Sequence, residues 1–400
     1  MNDEPRETKE DEISFEGEET LGHEAREIIN RENNDIGNEI YPDAEVNIAR
    51  DPVSVFQLKR KYDKQPKPLL VLDPDFQREE VWNPKQRSEL IESILMGIPL
   101  PLIYVKEDNN GVYIIVDGRQ RLTTLFDFMN NKFKLRGLKI LGDLNGKFFS
   151  NIDEKLQIDE KQQNKIEDCS LTLHVIKPPT SDRVTFDLFD RVNRGGTRLN
   201  NQEMRNALYQ GYSTKFLNKL SKSENFKNAT ENSIPSKRMK DRYLILRFLS
   251  FYLWRQKLLR DVKTGELLEY RSDLEDFLGK SMLFINDDNN RKIIEKLEKL
   301  FEITMKNCVE LFGVGCFRLP QGESKTKKPI NMALFESISY FCAILKDVSE
   351  KKSHLLMEKF MCLIKDKSFI KVLTYTVDSN VSVYARFDII EASAKEILNA

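Results

Sequence analysis

The spacing of apolar residues changes once along this chain, near residue 210. Before that point, short runs of β-branched and aliphatic residues alternate with stretches whose apolar residues recur every three or four positions. From about residue 213 onward only the helical spacing remains. The helical segments lie near 214–220, 240–260, 290–312, 330–347, 353–373 and 380–398. The sequence therefore predicts an α+β region followed by an all-α region.

The charge of the chain is also unevenly distributed. The 400 residues hold 63 basic and 64 acidic side chains, a formal net charge of −1. Residues 1–50 hold 16 acidic and 5 basic residues, so this segment carries −11 and the remainder +10. Its low apolar content predicts a largely disordered leader, either a solvated tail or a segment that covers the basic remainder or mimics nucleic acid. We predict an acidic leader at 1–50, an α+β domain at 51–210 and an all-helical domain at 211–400.

The composition argues against several classes of protein. The five cysteines form no CxxC pair and the three histidines are far apart, which argues against a disulfide framework, a zinc ribbon and an HNH-type nuclease module. The absence of GxxxxGK[ST] and GxGxxG motifs argues against a P-loop NTPase and a dinucleotide-binding fold. The acidic start does not resemble a signal peptide, and arginines interrupt the most apolar stretch, Tyr243–Leu259. These features predict a cytoplasmic protein without a membrane span.

The most specific local feature is the segment Val116–Thr124. A strand ends at Asp117-Gly118, and a helix with Arg119 and Arg121 in its first turn follows at once. The free N–H groups and the positive dipole at a helix start favour an anion, and arginine supplies fork-shaped donors suited to phosphate. Asp117 would orient an arginine or hold Mg²⁺ beside a phosphate. The alternative is that Asp117 caps the helix and both arginines face solvent.

Two further loops carry arginines beside residues that suit a ligand. In the first, Arg78 lies between the aromatic residues Phe76 and Trp82, which are also candidates for core anchors. In the second, polar residues adjoin paired glycines, whose backbone lets a ligand approach closely, although a plain helix–helix turn has the same pattern. The residues of this second loop are Arg191, Asn193, Arg194, Gly195 and Gly196. Glu203, on the next helix, would form a local pair or belong to the same pocket.

These motifs together resemble the DUF262 family, the N-terminal domain of GmrSD-type, modification-dependent restriction systems. The resemblance covers about residues 54–210. The motifs that carry it are Phe76-Gln77-Arg78 with Trp82, the helix from Leu90 to Pro99, Asp117-Gly118-Arg119-Gln120-Arg121-Leu122-Thr123-Thr124-Leu125, Phe189-Asp190-Arg191-Val192-Asn193-Arg194-Gly195-Gly196-Thr197, and Leu199–Ala207. The family implies a ParB/sulfiredoxin-like fold for this region.

In that family an Asp-Gly-Gln-Gln-Arg motif is associated with nucleotide binding and hydrolysis. The resemblance therefore implies a nucleoside triphosphate as ligand, with Mg²⁺. By resemblance, Asp117, Gly118, Gln120 and Arg121 would line this site. Our own hypothesis takes Asp117, Arg121 and Glu203 as catalytic residues, with a water oriented by Asp117 or Glu203 and with Asp117 as the metal ligand. We expect the Arg78 loop and the Arg191–Gly196 loop to close around the phosphates at this turn. The predicted nucleotide-binding residues are Arg78, Gly118, Arg119, Gln120, Thr123, Arg191, Asn193, Arg194 and Gly196. Arg119 stands where the family usually has glutamine, so nucleotide binding is predicted and hydrolysis is left open.

The sequence thus predicts a nucleotide-binding regulatory protein of a bacterial anti-phage or restriction system. The alternative is a non-enzymatic DNA-binding protein of ParB-like fold that uses the same basic pocket for the phosphate backbone. The fused HNH-type nuclease of the family has no counterpart here, because the histidines do not permit it. A separate effector nuclease chain is therefore an expected partner. Assembly into a homo-oligomer is left open.

Overall fold

A computed structural model describes residues 47–72, 82–180, 182–192, 200–320, 327–345 and 353–399. The chain divides between Gln210 and Gly211 into an N-terminal and a C-terminal unit, each packed chiefly on itself. The N-terminal unit is a mixed α+β fold and the C-terminal unit is helical, as the change in apolar spacing predicts.

A five-stranded sheet forms the centre of the N-terminal unit. Its strands are β1 (Ile48–Ser54), β2 (Leu70–Val71), β3 (Ile103–Glu107), β4 (Tyr113–Asp117) and β5 (Ser170–Ile176). They lie in the order β1-β5-β3-β4-β2, with β5 parallel to β3, β2 parallel to β4 and the other two pairs antiparallel. β3 and β4 form a hairpin, as the turn residues Asp108-Asn109-Asn110-Gly111 between two apolar, β-branched runs predict. The Asp108 carboxylate accepts hydrogen bonds from the N–H groups of Asn110 and Val112.

Six α-helices accompany the sheet within the described ranges of the N-terminal unit. They are α1 (Val55–Asp63), α2 (Pro84–Leu95), α3 (Arg119–Met129), α4 (Glu160–Glu167), α5 (Asp182–Val192) and α6 (Asn201–Leu208). α1, α2, α4 and α6 each begin with a capping box, in which the side chains of the N-cap and N3 residues bond each other's backbone N–H groups. Asn83-Pro84, a cap residue followed by a proline, predicts a helix start, and α2 begins there.

The core of this unit follows the alternation of the strands. On β5 the side chains of Leu171, Leu173 and Val175 are buried, whereas Thr172 between them is exposed. This pattern is typical of a sheet with one covered and one open face. Leu122 on α3 belongs to the same buried cluster. Each such aliphatic side chain contributes about 1.5–3 kcal/mol when it leaves water.

The C-terminal unit contains nine α-helices within its described residues. They are α7 (Tyr212–Ser221), α8 (Glu224–Ala229), α9 (Lys240–Arg255), α10 (Leu274–Asn286), α11 (Arg291–Phe312), α12 (Met332–Ile344), α13 (Ser353–Leu363), α14 (Lys367–Thr374) and α15 (Asn380–Asn399). α9 and α12 are buried along almost their whole length. No helix in the described ranges is both long and apolar enough to cross a bilayer.

The structure corrects several predicted elements. The predicted helix at 353–373 is two helices, because Asp366 starts a new one by accepting a hydrogen bond from the N–H of Phe369. The apolar residues Val55, Leu58 and Tyr62 predict a helix over 53–62, but α1 begins only at Val55, since Val53 and Ser54 belong to β1. β1 itself, α4, α8 and α10 were not predicted. The helix predicted over 240–260 ends at Arg255.

Buried charges lie at the centre of the C-terminal unit. Glu336 is fully buried, and its carboxylate accepts a hydrogen bond from Nε of Arg247 at 2.8 Å and another from Arg386. Arg247 also donates to Asp378 at 2.6 Å. These hydrogen bonds tie α9, α12 and α15 to the segment that holds Asp378. Burial alone would lower the pKa of Arg247, but the two carboxylates outweigh this and raise it.

Candidate functional site

The strand that leads into the candidate site contains one extra residue. Val105 on β3 pairs with Ile115 on β4, but Tyr104 pairs with Asp117, so that Val116 forms a bulge. A regular register would pair Tyr104 with Val116 and place Asp117 opposite Ile103, on the buried face of the sheet. The bulge instead brings Asp117 to the polar face beside Tyr104, which is a frequent use of bulges near functional sites.

The turn from β4 into α3 requires glycine. Gly118 has a φ of +97°, and an added Cβ would lie 2.9 Å from Cγ1 of Ile103. α3 begins at Arg119, and no side chain among the described residues caps it. The predicted strand–glycine–helix turn is therefore confirmed. Because Gly118 and not Asp117 is the N-cap residue, the alternative in which Asp117 caps the helix is wrong.

Two of the residues predicted to be catalytic bond each other. Nη2 of Arg121 donates to Oδ2 of Asp117 at 2.8 Å, and Nη1 of Arg121 donates to the carbonyl oxygen of Pro101. The Arg121 side chain is only 11% exposed. Burial lowers the pKa of Arg121, while the Asp117 carboxylate opposes this shift. The pair therefore holds the turn against the segment that precedes β3.

Arg119 and Thr123, one helical turn apart on α3, line a cavity of about 550 Å³. We call it the first cavity. Tyr62, Asp127 and Lys132 also form part of its wall, whereas neither member of the Asp117–Arg121 pair does. The structure thus separates the predicted residues of this turn into a cavity-lining group and a pair outside the cavity.

The cationic and aromatic walls of the first cavity are held in place by neighbours. The Tyr62 ring stacks on Phe126 with centroids 5.2 Å apart, and 38% of Tyr62 remains exposed. Nζ of Lys132 lies 2.9 Å from Oδ1 of Asp127, whose Oδ2 accepts a hydrogen bond from Arg87 at 2.7 Å. The hydrogen bond with Asp127 raises the pKa of Lys132, which keeps this amine protonated.

The remaining predicted site residues lie in different settings. Gln120 is half-buried in the first turn of α3, and Arg191 is exposed near the end of α5. Glu203 is fully buried, and its carboxylate accepts a hydrogen bond at 2.8 Å from the N–H of Asn200 in the capping box of α6. Four predicted residues lie outside the described part of the chain: Arg78, Asn193, Arg194 and Gly196.

Sequence reasoning missed a polar row across the open face of the sheet. Arg50, His174, Tyr104 and Asp117 pair in succession across β1, β5, β3 and β4. The rings of Tyr104 and His174 lie 4.9 Å apart, edge to face. Partial burial and the nearby Arg50 lower the pKa of His174. The alternation of polar and apolar residues along β5 is the signal that pointed to this face.

The predicted magnesium ligand is a single carboxylate. Within the described ranges, no group of three or more His, Cys, Asp or Glu side chains is placed to hold a metal ion. Asp117 shares its carboxylate with Arg121 and is 38% exposed. Because Mg²⁺ is often bound by one or two carboxylates together with substrate phosphates, Asp117 fits such an ion only in company with a phosphate ligand.

The fold and the turn define residues 55–210 as an α+β domain with an arginine-bearing strand–glycine–helix turn. The same residues match the family model of the GmrSD restriction endonuclease, N-terminal domain. The prediction of a GmrSD-type N-terminal domain in this part of the chain is therefore confirmed, and the match associates the protein with restriction and anti-phage systems. Searches of curated proteins and of solved structures returned no match.

Proposed function

We propose that the N-terminal unit binds a nucleoside triphosphate in the first cavity, as a regulatory module of a restriction or anti-phage system. One observation carries this proposal. Arg119 and Thr123, both expected from the sequence to bind nucleotide, line a single cavity together with Lys132 and Tyr62. Its volume of about 550 Å³ lies in the range of small-molecule sites.

The chemistry of the walls suits the parts of a nucleotide. Arg119 and Lys132 supply charged donors for phosphate oxygens, and the hydroxyl of Thr123 supplies a neutral donor. The start of α3, where Arg119 lies, adds the positive end of the helix dipole, which favours an anion. Magnesium, when bound with the nucleotide, would offset phosphate charge. The carboxylate that we assign to it is Asp117, which precedes Arg119 by two residues although it is not part of the cavity wall. Arg121 acts as a positioning residue, since its hydrogen bonds hold Asp117 and the turn.

Fluorescence titration of the full chain with ATP, GTP, CTP and UTP in the presence of Mg²⁺ tests binding. Arg119→Ala should weaken the affinity roughly 10- to 150-fold, because a hydrogen bond to a charged group is worth about 1.5–3 kcal/mol. Arg136→Ala is the matched control, since Arg136 is an exposed arginine of the same unit outside the cavity wall. Failure of all four nucleotides to bind, or wild-type affinity in Arg119→Ala, would overturn the proposal.

Hydrolysis is a separate part of the proposal and needs its own measurement. We assign the orientation of the attacking water to Asp117, which precedes Arg119 by two residues although it is not part of the cavity wall, so that Asp117→Asn should reduce phosphate release while nucleotide still binds. Release that continues unchanged in Asp117→Asn would remove this role. A wild-type protein that binds nucleotide without releasing phosphate would be a sensor and not an NTPase.

Binding of a DNA backbone by the same basic residues is the second candidate. The net charge of +10 on residues 51–400 favours it. Salt dependence separates the candidates, because log K for backbone binding falls with log salt by about 0.9 per phosphate neutralised. A nucleotide site should depend on magnesium and base identity instead.

In either case we propose a cytoplasmic protein that acts with a separate nuclease chain.

A further inference from the structure

The first cavity has a neighbour. A second cavity of about 650 Å³ is lined by residues of α1, by the end of α3 and by residues further along the N-terminal unit. Its wall consists of Phe56, Lys59, Arg60, Asp63, Lys64, Met129, Asn130, Phe149 and Glu167. Asp63 and Asn130 line both cavities. The two cavities therefore adjoin at these two residues, and we call each of them a lobe.

Each lobe combines an exposed aromatic ring with cationic side chains. In the first cavity these are Tyr62 and the pair Arg119 and Lys132. In the second, Phe56, which is 52% exposed, lies in the same wall as Arg60 and Lys64. Stacking of a base on an aromatic ring is worth about 1–3 kcal/mol, and arginine and lysine supply the donors that phosphate requires. Each lobe thus holds the two kinds of group that recognise one nucleotide.

The charges of the second cavity favour an anionic ligand that also carries hydroxyl or amino groups. Three cations face two carboxylates in its wall, so the wall carries a net charge of +1. Lys59 forms an ion pair with Asp63, which leaves Arg60 and Lys64 to balance Glu167. The Glu167 carboxylate is an acceptor for sugar hydroxyls or base amino groups. At the junction, the Asn130 amide is a neutral donor for a linking phosphate.

We propose that the two cavities join as one groove that takes two linked nucleotides, one in each cavity. The ligand class is then a 5′-phosphorylated dinucleotide or the 5′ end of an oligonucleotide, with its 5′ phosphates in the first cavity. A mononucleotide would fill one lobe and leave the other open, because each lobe alone has the volume of a complete small-molecule site. This inference rests on the proposed nucleotide site in the first cavity and extends it.

Isothermal titration of the full chain with a nucleoside triphosphate and with the 5′-triphosphorylated dinucleotide of the same base tests the inference. The dinucleotide should bind at least 10-fold more tightly, by the added stacking on Phe56 and the added hydrogen bonds of Arg60 and Lys64. The double variant Arg60→Ala, Lys64→Ala should lose this gain and keep the affinity for the mononucleotide. Phe56→Ala should reduce the gain as well. Lys134→Ala, an exposed lysine in neither wall, is the control.

The outcomes separate this inference from the proposed function. If neither ligand binds, the nucleotide site itself is wrong. If both bind with equal affinity, or if the double variant keeps the gain, the mononucleotide site stands and the second lobe is not part of it. Because Phe56, Arg60 and Lys64 are exposed, loss of folding is not expected to obscure these results, and thermal melts of each variant check this.

Discussion

The two units of this chain handle their charges in different ways. In the C-terminal unit, Glu336 and Arg386 are completely buried, and the Glu336 carboxylate is shared between two arginines. In the N-terminal unit, the charges of the first cavity are held by neighbours but remain accessible, as with Lys132, whose side chain is 63% exposed. In this chain a buried group whose charge is balanced by buried partners stabilises the fold. A positioned but accessible cation is the better indicator of a ligand.

The largest effect should come from breaking the buried charges of the C-terminal unit. Glu336→Ala leaves Arg247 and Arg386 without their shared carboxylate, and removal of one partner from a buried ion pair typically costs about 3–5 kcal/mol. Urea unfolding followed by circular dichroism measures this. The control is Glu310→Ala, whose exposed pair with Lys306 should contribute less than about 1 kcal/mol. A loss in Glu336→Ala no larger than in the control would contradict a structural role.

In the N-terminal unit, the largest expected effect lies in backbone geometry and not in charge. Gly118→Ala combines an unfavourable φ with a Cβ 2.9 Å from Ile103, and should cost about 2–4 kcal/mol. Gly97→Ala is the matched control, because Gly97 also has a positive φ but nothing lies within 4 Å of an added Cβ. It should cost only the conformational term, about 1–2 kcal/mol. Equal losses in the two variants would show that the contact with Ile103 relaxes.

A smaller effect is expected at the start of α6. Asn200→Ala removes the side-chain oxygen that accepts the N–H of Glu203 at 2.8 Å, which typically costs about 1 kcal/mol. Asn200→Ser keeps a side-chain acceptor, so its free energy of unfolding should fall by only a few tenths of the loss in Asn200→Ala. Denaturant midpoints of the two variants provide the measurement. An equal loss in both would indicate that Asn200 acts through other interactions.

The smallest effect should be a pH dependence of the free energy of unfolding that comes from Asp378, the partly exposed member of the buried charge cluster in the C-terminal unit. Burial would raise the pKa of Asp378, but Arg247 outweighs it and holds that pKa below its ordinary value. The resulting stabilisation is present above the ordinary pKa of an aspartate, about 3.9, and is lost as the pH falls further. This stabilisation should be small, because the Asp378 side chain is 36% exposed and solvent screens its attraction to Arg247.

Asp378→Asn provides the test of that dependence. The loss of stability between pH 6 and pH 3 should be smaller in this variant than in the wild-type protein, because one carboxylate with a lowered pKa has been removed. Unfolding midpoints at a series of pH values give the comparison. Identical pH profiles would mean that Arg247 does not lower the pKa of Asp378 in the folded state.

Local patterns predicted much of the N-terminal fold. The turn that begins at Asp108 marked the hairpin, and Gly118 marked the passage from β4 to α3, because both depend on neighbours in sequence. β1 was missed because its segment contains Arg50, Asp51 and Pro52, which disfavour a strand unless a partner fixes it. That partner is β5, far away in the chain. α4 was missed because it is polar and has one buried residue.

In the candidate site, too, residues close together in sequence could be predicted, and residues from distant segments could not. Arg119 and Thr123 could be chosen from a motif, because one helical turn places them on the same side of α3. Tyr62 and Lys132 come from distant segments, and only the packing around α3 brings them to the cavity. Glu203 was chosen as a carboxylate that could orient the attacking water, although its spacing from Asn200 is that of a capping box. That signal was readable in the sequence and predicts the hydrogen bonds observed.

The extra residue at Val116 also determines how this chain should be compared with others. A protein with the same fold but a regular β4 has one residue fewer before the glycine, and an alignment must open a single gap there. Without that gap, the position of Asp117 would be matched with a side chain of the opposite face. The presence or absence of the bulge is thus a structural marker by which relatives that keep this carboxylate on the open face can be told from those that have lost it.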